Sequence, residues 1–375
     1  MRLVPFCCAA LINRAVANDH DIIMPQPCFL LNMVGFGPPR QARKSTANKT
    51  PADARSPVEK TSQQVAPAAV GELPHDAFSQ FPPLSPQNQA SLQKVDGDSN
   101  KLTTEVLARI REKHGFNFFN ENIFPSIRLL HADPVVFEVE DFFTPQECDT
   151  YVKMSTESQS GRRKGGFKSM ELRSVTTSSQ SHFQQQRTST TWFHHYASAP
   201  ELLAKASALL GVEDYRLWEE PQTVRYRAGE RFNWHLDALP PAETGVSKGG
   251  QRTATVLVYL TDMDVNAGGA TAFRDLGPLR VRPKKGKCLV FFPSFGGEAG
   301  SPFDLRTLHA GEVVGEVAGK GKTSKAKYIA QLWCHKKPYP PSVPVGSSHE
   351  AAEECIADYF RRWIGKEMTH DTAVY

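Results

Sequence analysis

Several features that would assign a chain quickly are missing from this one. None of its seven cysteines falls in a CxxC pair or at metal-ligand spacing, which excludes a zinc ribbon and a dithiol redox site. No apolar run reaches the length of a bilayer-spanning helix, so no firm membrane span is expected. Charge of one sign is scarce too: 44 Lys and Arg against 40 Asp and Glu leave +4, too little to make nucleic acid the main partner. Internal repeats are absent. What remains is 375 residues, 40% hydrophobic and 22% charged, enough for one large globular domain or two small ones. Cys288 and Cys334 sit in apolar, strand-like runs and read as buried thiols, so cysteine usage leaves the redox compartment open.

The first hundred residues differ from the rest. "MRLVPFCCAALINRAVAND" has an early arginine, an apolar stretch from Leu3 to Ile12 and small residues at Ala15-Val16-Ala17, the pattern of a secretory signal with an A-x-A cleavage site. It points to the endoplasmic reticulum and secretory pathway. The rival is an organellar transit peptide, because "RQARKSTANKT" follows. From about Gly37 to Asn100 the chain is rich in Pro, Ser, Ala and Gln, a composition with too little apolar surface to offset ordering entropy. Residues 1–100 are therefore expected to be a targeting segment and disordered linker, with a folded domain over 101–340 and a helical extension over 341–375 packing on it.

Helix punctuation begins at "LTTEVLARIREKHG", with Thr103 as cap and Gly115 as stop. "DPVVFEVEDFF" reads as a strand. "TPQECDTYVKM" opens with Thr144 as cap, Pro145 at the first helical position and Glu147 closing a capping box. "SAPELLAKASALLG" repeats that grammar, with Ser198 as the expected cap and Gly211 as stop. From Val212 to Trp333 the pattern changes to short β-rich runs divided by Gly, Pro and Asp: "TVRYRAG", "ATVLVYLTD", "GATAFRD", "LRVRPKKG", "KCLVFFP" and "YIAQLWCH". Mainly β with helices clustered upstream implies an α+β sandwich or jelly roll with helical support on one side. A last helix, "SSHEAAEECIADYFRRWIG", carries one apolar stripe of Ala352, Cys355, Ile356, Tyr359, Phe360 and Trp363.

Within the β-rich region, "FNWHLDALP" sets His235 and Asp237 two apart, which on a strand points both to one face. A bare HxD is a weak signal, and a simple His–Asp hydrogen bond explains it equally well. His309 in "RTLHAGEVV" supplies a third candidate ligand. Two histidines and one carboxylate form the facial triad of non-haem Fe(II) oxygenases, with positions left for a chelating co-substrate and O2; catalytic zinc is the chemical alternative. His194 and His195 are adjacent, so they point to opposite faces of a strand and cannot share one metal. His182 lies in the Ser/Gln-rich "TTSSQSHFQQQ", which reads as a loop. A 2-oxo acid also needs a cation for its distal carboxylate, and "KAKYIAQLW" offers Lys325 and Lys327 on one face. Tyr226 in "VRYRAGERFNWHLD" is placed to donate a phenolic hydrogen bond to the same group.

Taken together, "VFEVEDFFTPQECDTYV", "RTSTTWF", "VRYRAGERFNWHLDA", "QRTATVLVYLTDMDVNAGGATAF", "VRPKKGKCLVFFPS", "RTLHAGEVV" and "KYIAQLW" resemble, in order and over some two hundred residues, the catalytic domain of 2-oxoglutarate/Fe(II)-dependent prolyl 4-hydroxylases of the compact algal and plant kind. The resemblance implies a double-stranded β-helix. It implies that His235, Asp237 and His309 hold Fe2+, and that Lys327, helped by Tyr226, pairs with the C5 carboxylate of 2-oxoglutarate. A peptide groove is implied at Arg187, Ser189, Glu219, Arg252, Trp333 and His335, with 156–186 as a lid; for Glu219 and Arg252 an ion pair with a structural role is the alternative. The activity implied is O2-dependent hydroxylation of peptidyl proline, with succinate and CO2 released and L-ascorbate as reductant. Two departures stand out. "GEVAGKGKTS" lengthens the interval between His309 and Lys327, so Lys327 rather than Lys325 is chosen from the "KY" pair. Glu230 stands where Gln is commoner. The rivals are an oxygenase of the same superfamily acting on lysine, a free amino acid or a nucleobase, and a non-catalytic jelly-roll module that keeps a metal. The last expects a decayed ligand or anchor, and none is missing.

Overall fold

Apolar, β-branched runs make the strands, and their burial shows how they stack. In a computed structural model of the chain, the described residues are 81–95, 101–117, 123–157, 170–173, 188–277, 279–295, 303–315, 325–340 and 349–371. The signal-like segment, His182, Arg187, most of the expected lid and most of the "GEVAGKGKTS" insertion lie outside them. Twelve strands are named here: β1 (Ile127–Ala132), β2 (Val135–Val139), β3 (Met170–Arg173), β4 (Thr190–Phe193), β5 (Gln222–Tyr226), β6 (Phe232–His235), β7 (Arg252–Tyr259), β8 (Thr271–Phe273), β9 (Arg280–Val281), β10 (Cys288–Phe291), β11 (His309–Gly311) and β12 (Lys327–His335). They pair antiparallel into a major sheet ordered β1-β2-β10-β7-β12-β5-β4-β3 and a minor sheet ordered β6-β11-β8-β9. The interleaved order, with β6, β8, β9 and β11 crossing to the minor sheet while their sequence neighbours stay in the major one, is that of a jelly roll.

β7 is central in the major sheet, and "TATVLVY" is buried along its whole length because both faces are covered. On the inner face Leu257 and Tyr259 meet Val224, Tyr226, Phe291 and Ile329, together with Phe273 of the minor sheet. On the outer face Val256, Val258, Ala330 and Leu332 meet the helices. These are α2 (Thr104–His114), α3 (Pro145–Glu157), α4 (Pro200–Leu210) and α5 (His349–Asp371), with a short α1 (Pro86–Ala90) ahead of them. No helix among the described residues is long and apolar enough to cross a membrane.

Helix ends follow the expected chemistry with one exception. Thr103 caps α2 by accepting from the Val106 amide at 3.3 Å, and Gly115 ends it at φ 77°. The α3 capping box forms in full: the Thr144 amide donates to Glu147 Oε2 at 2.7 Å, and the Glu147 amide to Thr144 Oγ1 at 3.2 Å. At α4, however, Ser198 does not cap. It closes a preceding 3-10 turn, Tyr196–Ser198, and Ala199 takes the cap position with no side-chain bond. Pro200 at the helix start removes one of the amides a cap would have satisfied.

A second difference lies at the N-terminal boundary. Residues 81–95, expected within the linker, pack onto the domain. Leu84 is buried, Phe81 covers Trp234, Ala272, Leu308 and Ala310 on the outer face of the minor sheet, and Gln93 pairs with Asp133 as an isolated bridge. Arg274 donates to the carbonyls of Phe81 and Pro82 at 2.9 and 3.0 Å, and Arg306 to Ser91 Oγ at 3.0 Å. A linker composition averaged over sixty residues conceals a few apolar residues at useful spacing. The C-terminal stripe docks on the helical layer, with Ala352 buried and Cys355, Ile356, Phe360 and Trp363 half-buried against that core.

Candidate metal centre and co-substrate cleft

β6 and β11 lie side by side, and His309 is directly opposite His235. Alternation along β6 sends Trp234 to the outer face with Leu236, while His235 and Asp237 face the sandwich interior. A register shift between β11 and β6 then brings Phe232 onto the same side as His235, where its ring stacks on the imidazole at 3.6 Å between centroids. Phe291 meets the His309 ring edge-on at 4.8 Å. Phe232 and Phe291 are thus walls of the site, while Trp234 is not.

One ligand atom from each of His235, Asp237 and His309 lies within 4.8 Å of the others. His235 Nε2 is 3.6 Å from Asp237 Oδ1, and His309 Nε2 is 3.7 Å from Asp237 Oδ2. Both imidazoles are oriented from behind. His235 Nδ1 meets the Asn233 carbonyl at 2.7 Å and His309 Nδ1 meets the Thr307 carbonyl at 3.0 Å, which turns each Nε2 toward the carboxylate. Thr255 donates to Asp237 Oδ2 at 2.8 Å, and both residues are buried. Burial acts to raise the Asp237 carboxyl, but His309, His235 and Arg252 outweigh it and hold the group below the usual carboxylate range. Three anchored donors, two imidazoles and one carboxylate on one side of a sheltered point, fit a divalent metal with open positions.

Lys327 faces the same interior, paired in register with Tyr226. It is 2% exposed, whereas Lys325 lies on the surface, and its Nζ sits 5.0 Å from the Tyr226 ring centre and 5.8 Å from that of Tyr259. Burial pushes its ammonium down to about 8, with Glu312 pulling the other way. A buried cation to which no carboxylate is hydrogen-bonded among the described residues, facing the same interior as a metal-ligand triad, can receive a carboxylate.

Four of the six expected groove residues, Glu219, Arg252, Trp333 and His335, are brought together, but they are occupied with one another. Glu219 accepts from Arg252 Nε at 2.5 Å and from Nη2 at 2.9 Å, and its Oε1 also meets His335 Nε2 at 2.6 Å. His335 Nδ1 meets the Gly250 carbonyl at 3.2 Å, and the Arg252 guanidinium lies 3.8 Å over the Trp333 ring. Arg252 Nη1 then reaches the main-chain carbonyl of Asp237 at 3.2 Å. Burial opposes the Glu219 charge; Arg252 and His335 overcome it and keep the carboxyl ionised. The network ends on a triad residue. Gly249 is required beside it, since at φ +84° a Cβ there would stand 2.8 Å from His335 Nδ1. Ser189 is buried at the start of β4. His194 and His195 stay away from the triad: His194 Nε2 meets Thr223 Oγ1 at 2.8 Å, and His195 Nδ1 accepts from the Ala197 amide at 3.2 Å. Thr255 escaped sequence reasoning, because a threonine inside an apolar strand carries no motif until Asp237 is placed beside it.

A family profile described as the 2OG-Fe(II) oxygenase superfamily matches residues 221–335, the span that holds the triad and Lys327. Residues 221–335 belong to this superfamily. The oxygenase is 26% identical over 259 residues to probable prolyl 4-hydroxylase 4 of Arabidopsis thaliana, covering 61% of this chain and 77% of that one. It is 33% identical over 122 residues to prolyl 4-hydroxylase subunit alpha-1 of Homo sapiens, covering 32% of this chain and 20% of the human subunit. Among solved structures, the viral collagen prolyl hydroxylase of Paramecium Bursaria Chlorella virus-1 in complex with 2OG is similar at 20% identity and a TM-score of 0.37, covering 53% of this chain and 94% of that one. The oxygenase is a dioxygenase whose family uses Fe2+, 2-oxoglutarate and O2.

Proposed function

We propose that this oxygenase hydroxylates proline in a peptide or protein, consuming 2-oxoglutarate and O2 and releasing succinate and CO2. The observation that carries the reading is the pairing, across one cleft, of the His235–Asp237–His309 triad with the buried Lys327. His235, Asp237 and His309 would hold the iron. Lys327, beside Tyr226, would hold the distal carboxylate of the co-substrate. When bound, ferrous iron supplies co-substrate chelation and O2 activation for an attack on an unactivated C–H bond. The chain's own part is to orient and to shelter: the Phe232 and Phe291 rings flank the imidazoles and limit access of water to the reacting centre. Glu219, Arg252, Trp333 and His335 gather beside the triad, and with Ser189 and Arg187 they form the surface proposed for the peptide. L-ascorbate is proposed as the reductant that keeps the iron ferrous. The prolyl 4-hydroxylases among the relatives support proline as the target.

The test is succinate release by the full chain with Fe(II), ascorbate and 2-oxoglutarate, with and without proline-rich peptides, and mass spectrometry of each peptide. Peptide-stimulated succinate with one oxygen gained on proline is the expected result. Succinate formed without peptide stimulation would keep the oxygenase and discard the substrate.

A further inference from the structure

On the side of the major sheet turned away from the cleft, β4 and β5 carry a second, separate set of polar side chains. Thr190 of β4 pairs with Arg225 of β5, which pairs in turn with Tyr328 of β12; Trp192 pairs with Thr223, and Thr223 with Ala330. Tyr328 and Ala330 belong to the core beneath the helices, whereas Val224 and Tyr226, the alternate residues of β5, belong to the core between the sheets. Thr190, Trp192 and Arg225 therefore share the helical side. Arg225 is 9% exposed and Trp192 is fully buried. Arg225 Nη2 donates to Thr190 Oγ1 at 3.1 Å, and its guanidinium carbon lies 5.2 Å from the centre of the Trp192 ring. Among the described residues no carboxylate pairs with Arg225. Its Nε and the Nε1 of Trp192 are both buried without a hydrogen-bond partner. Thr223 Oγ1, in the same row as Trp192, is taken by His194 Nε2 at 2.8 Å.

A guanidinium taken out of water without a counter-charge is costly, and the face of one indole ring offsets only part of that cost. The groups that meet here are the Arg225 Nε, the Trp192 N–H and the Thr190 hydroxyl, whose oxygen accepts from Arg225 and whose hydrogen is left to donate. All three are donors, and one carries a full positive charge. A water molecule brings donors of its own and no charge, and a neutral ligand leaves the charge unanswered. An acceptor-only group of negative charge answers every one of them, and guanidinium binds such groups in its own plane through Nε and a terminal nitrogen. We infer that Arg225, Trp192 and Thr190 form a binding site for a small oxyanion, phosphate, sulfate or carboxylate, on the helical side of the sheet. The site is separate from the triad and Lys327 and does not depend on how they are read. Thr190 directly follows Ser189, so an anion held here also fixes the strand that carries one residue of the peptide surface.

The experiment follows thermal melting of the full chain titrated with inorganic phosphate at constant ionic strength, with sulfate and acetate in parallel. The chains are wild type, Arg225→Met, Trp192→Phe and Lys327→Met. Phenylalanine keeps a ring face for the guanidinium and deletes only the indole donor. The expected result is a saturable rise of several degrees in wild type and in Lys327→Met, and no saturable rise in Arg225→Met. Trp192→Phe is expected to need roughly tenfold more phosphate for the same rise, the weight of one hydrogen bond to a charged group. Without anion, Arg225→Met melts at or above the wild-type temperature, because an uncompensated buried charge has been removed. A response to phosphate and sulfate alone identifies a tetrahedral oxyanion, and a response to acetate alone identifies a carboxylate; either supports the site. An unsaturable rise equal in all four chains is the general effect of excluded salts and overturns it. A rise lost in Lys327→Met and kept in Arg225→Met places the anion in the cleft and overturns it too. Should Arg225→Met fail to fold, a Trp192→Phe midpoint equal to that of wild type refutes the site on its own.

Discussion

Asp237 is held from two sides, its carboxylate by Thr255 Oγ1 and its main-chain carbonyl by Arg252. Thr255→Val keeps the shape and deletes the donor, leaving a buried carboxylate oxygen without its bond. Partners of metal ligands typically contribute a factor of about 10–100 in affinity, so Mn(II) binding by Thr255→Val is expected to weaken by that order, with Thr255→Ser restoring most of it. Equal Mn(II) affinity in the two variants and wild type would show that Asp237 needs no such support. Lys327 makes a prediction in pH. Its ammonium, pushed down to about 8 by burial and partly sustained by Glu312, is charged below that value and neutral above it, among the Tyr226 and Tyr259 rings. Affinity for 2-oxoglutarate is therefore expected to fall as pH rises through about 8, a dependence that Lys327→Met abolishes along with most of the affinity. The ligand-free fold has the opposite slope. Between about 8 and the ordinary lysine value the unfolded chain holds a proton that the folded chain has released, so this residue adds stability as pH rises there. Calorimetric titration about one pH unit on either side of 8, beside thermal melts at the same pH values, checks both signs.

Among the elements, the C-terminal helix has the most specific attachment. Lys205 of α4 is 4% exposed and donates to Glu147 Oε2 at 2.9 Å and to the Phe142 carbonyl at 2.8 Å. Tyr359 of α5 donates to the other oxygen of Glu147, and Trp363 lies over the Lys205 ammonium at 5.4 Å. One carboxylate therefore caps α3, neutralises α4 and anchors α5. Glu147→Ala leaves Lys205 charged and buried, and removing one partner of such a pair costs about 3–5 kcal/mol; thermal or urea unfolding reads it, and a loss below about 1 kcal/mol would refute the assignment. This cluster also marks what was legible in advance. The Thr144–Glu147 capping box and the α5 stripe are local patterns and could be read directly. That Glu147 also serves Lys205 and Tyr359, fifty-eight and two hundred and twelve residues away, depends on packing that no local pattern carries. The same division holds at the site. The triad and Lys327 followed from spacing and resemblance, while Thr255 is an unremarkable polar residue in an apolar strand until the fold sets it beside Asp237.

For the molecule as a whole, the segment 81–95 bears on the site through the minor sheet. Arg306, bonded to Ser91, also bridges Asp304 at 2.7 Å and Asp133 at 3.0 Å, and the 3-10 turn it belongs to, Leu305–Thr307, presents the carbonyl that orients His309. Arg274, bonded to Phe81 and Pro82, directly follows Phe273, the residue opposite His309 in β8. Apolar cover from the segment, and the two domain arginines that clamp it, thus reach the strands around His309. A chain starting at residue 96 would expose Trp234, Leu308 and Ala310 on the outer face of the minor sheet and lose the burial of Leu84, worth about 2 kcal/mol on its own. Against a chain starting at residue 81, it is expected to melt several degrees lower, to bind a hydrophobic dye, and to hold Mn(II) more weakly because the His309 turn has lost one of its braces. Equal melting and equal Mn(II) affinity in the two chains would place the segment outside the working domain. A lower melting temperature with unchanged metal affinity would confine it to covering the sheet.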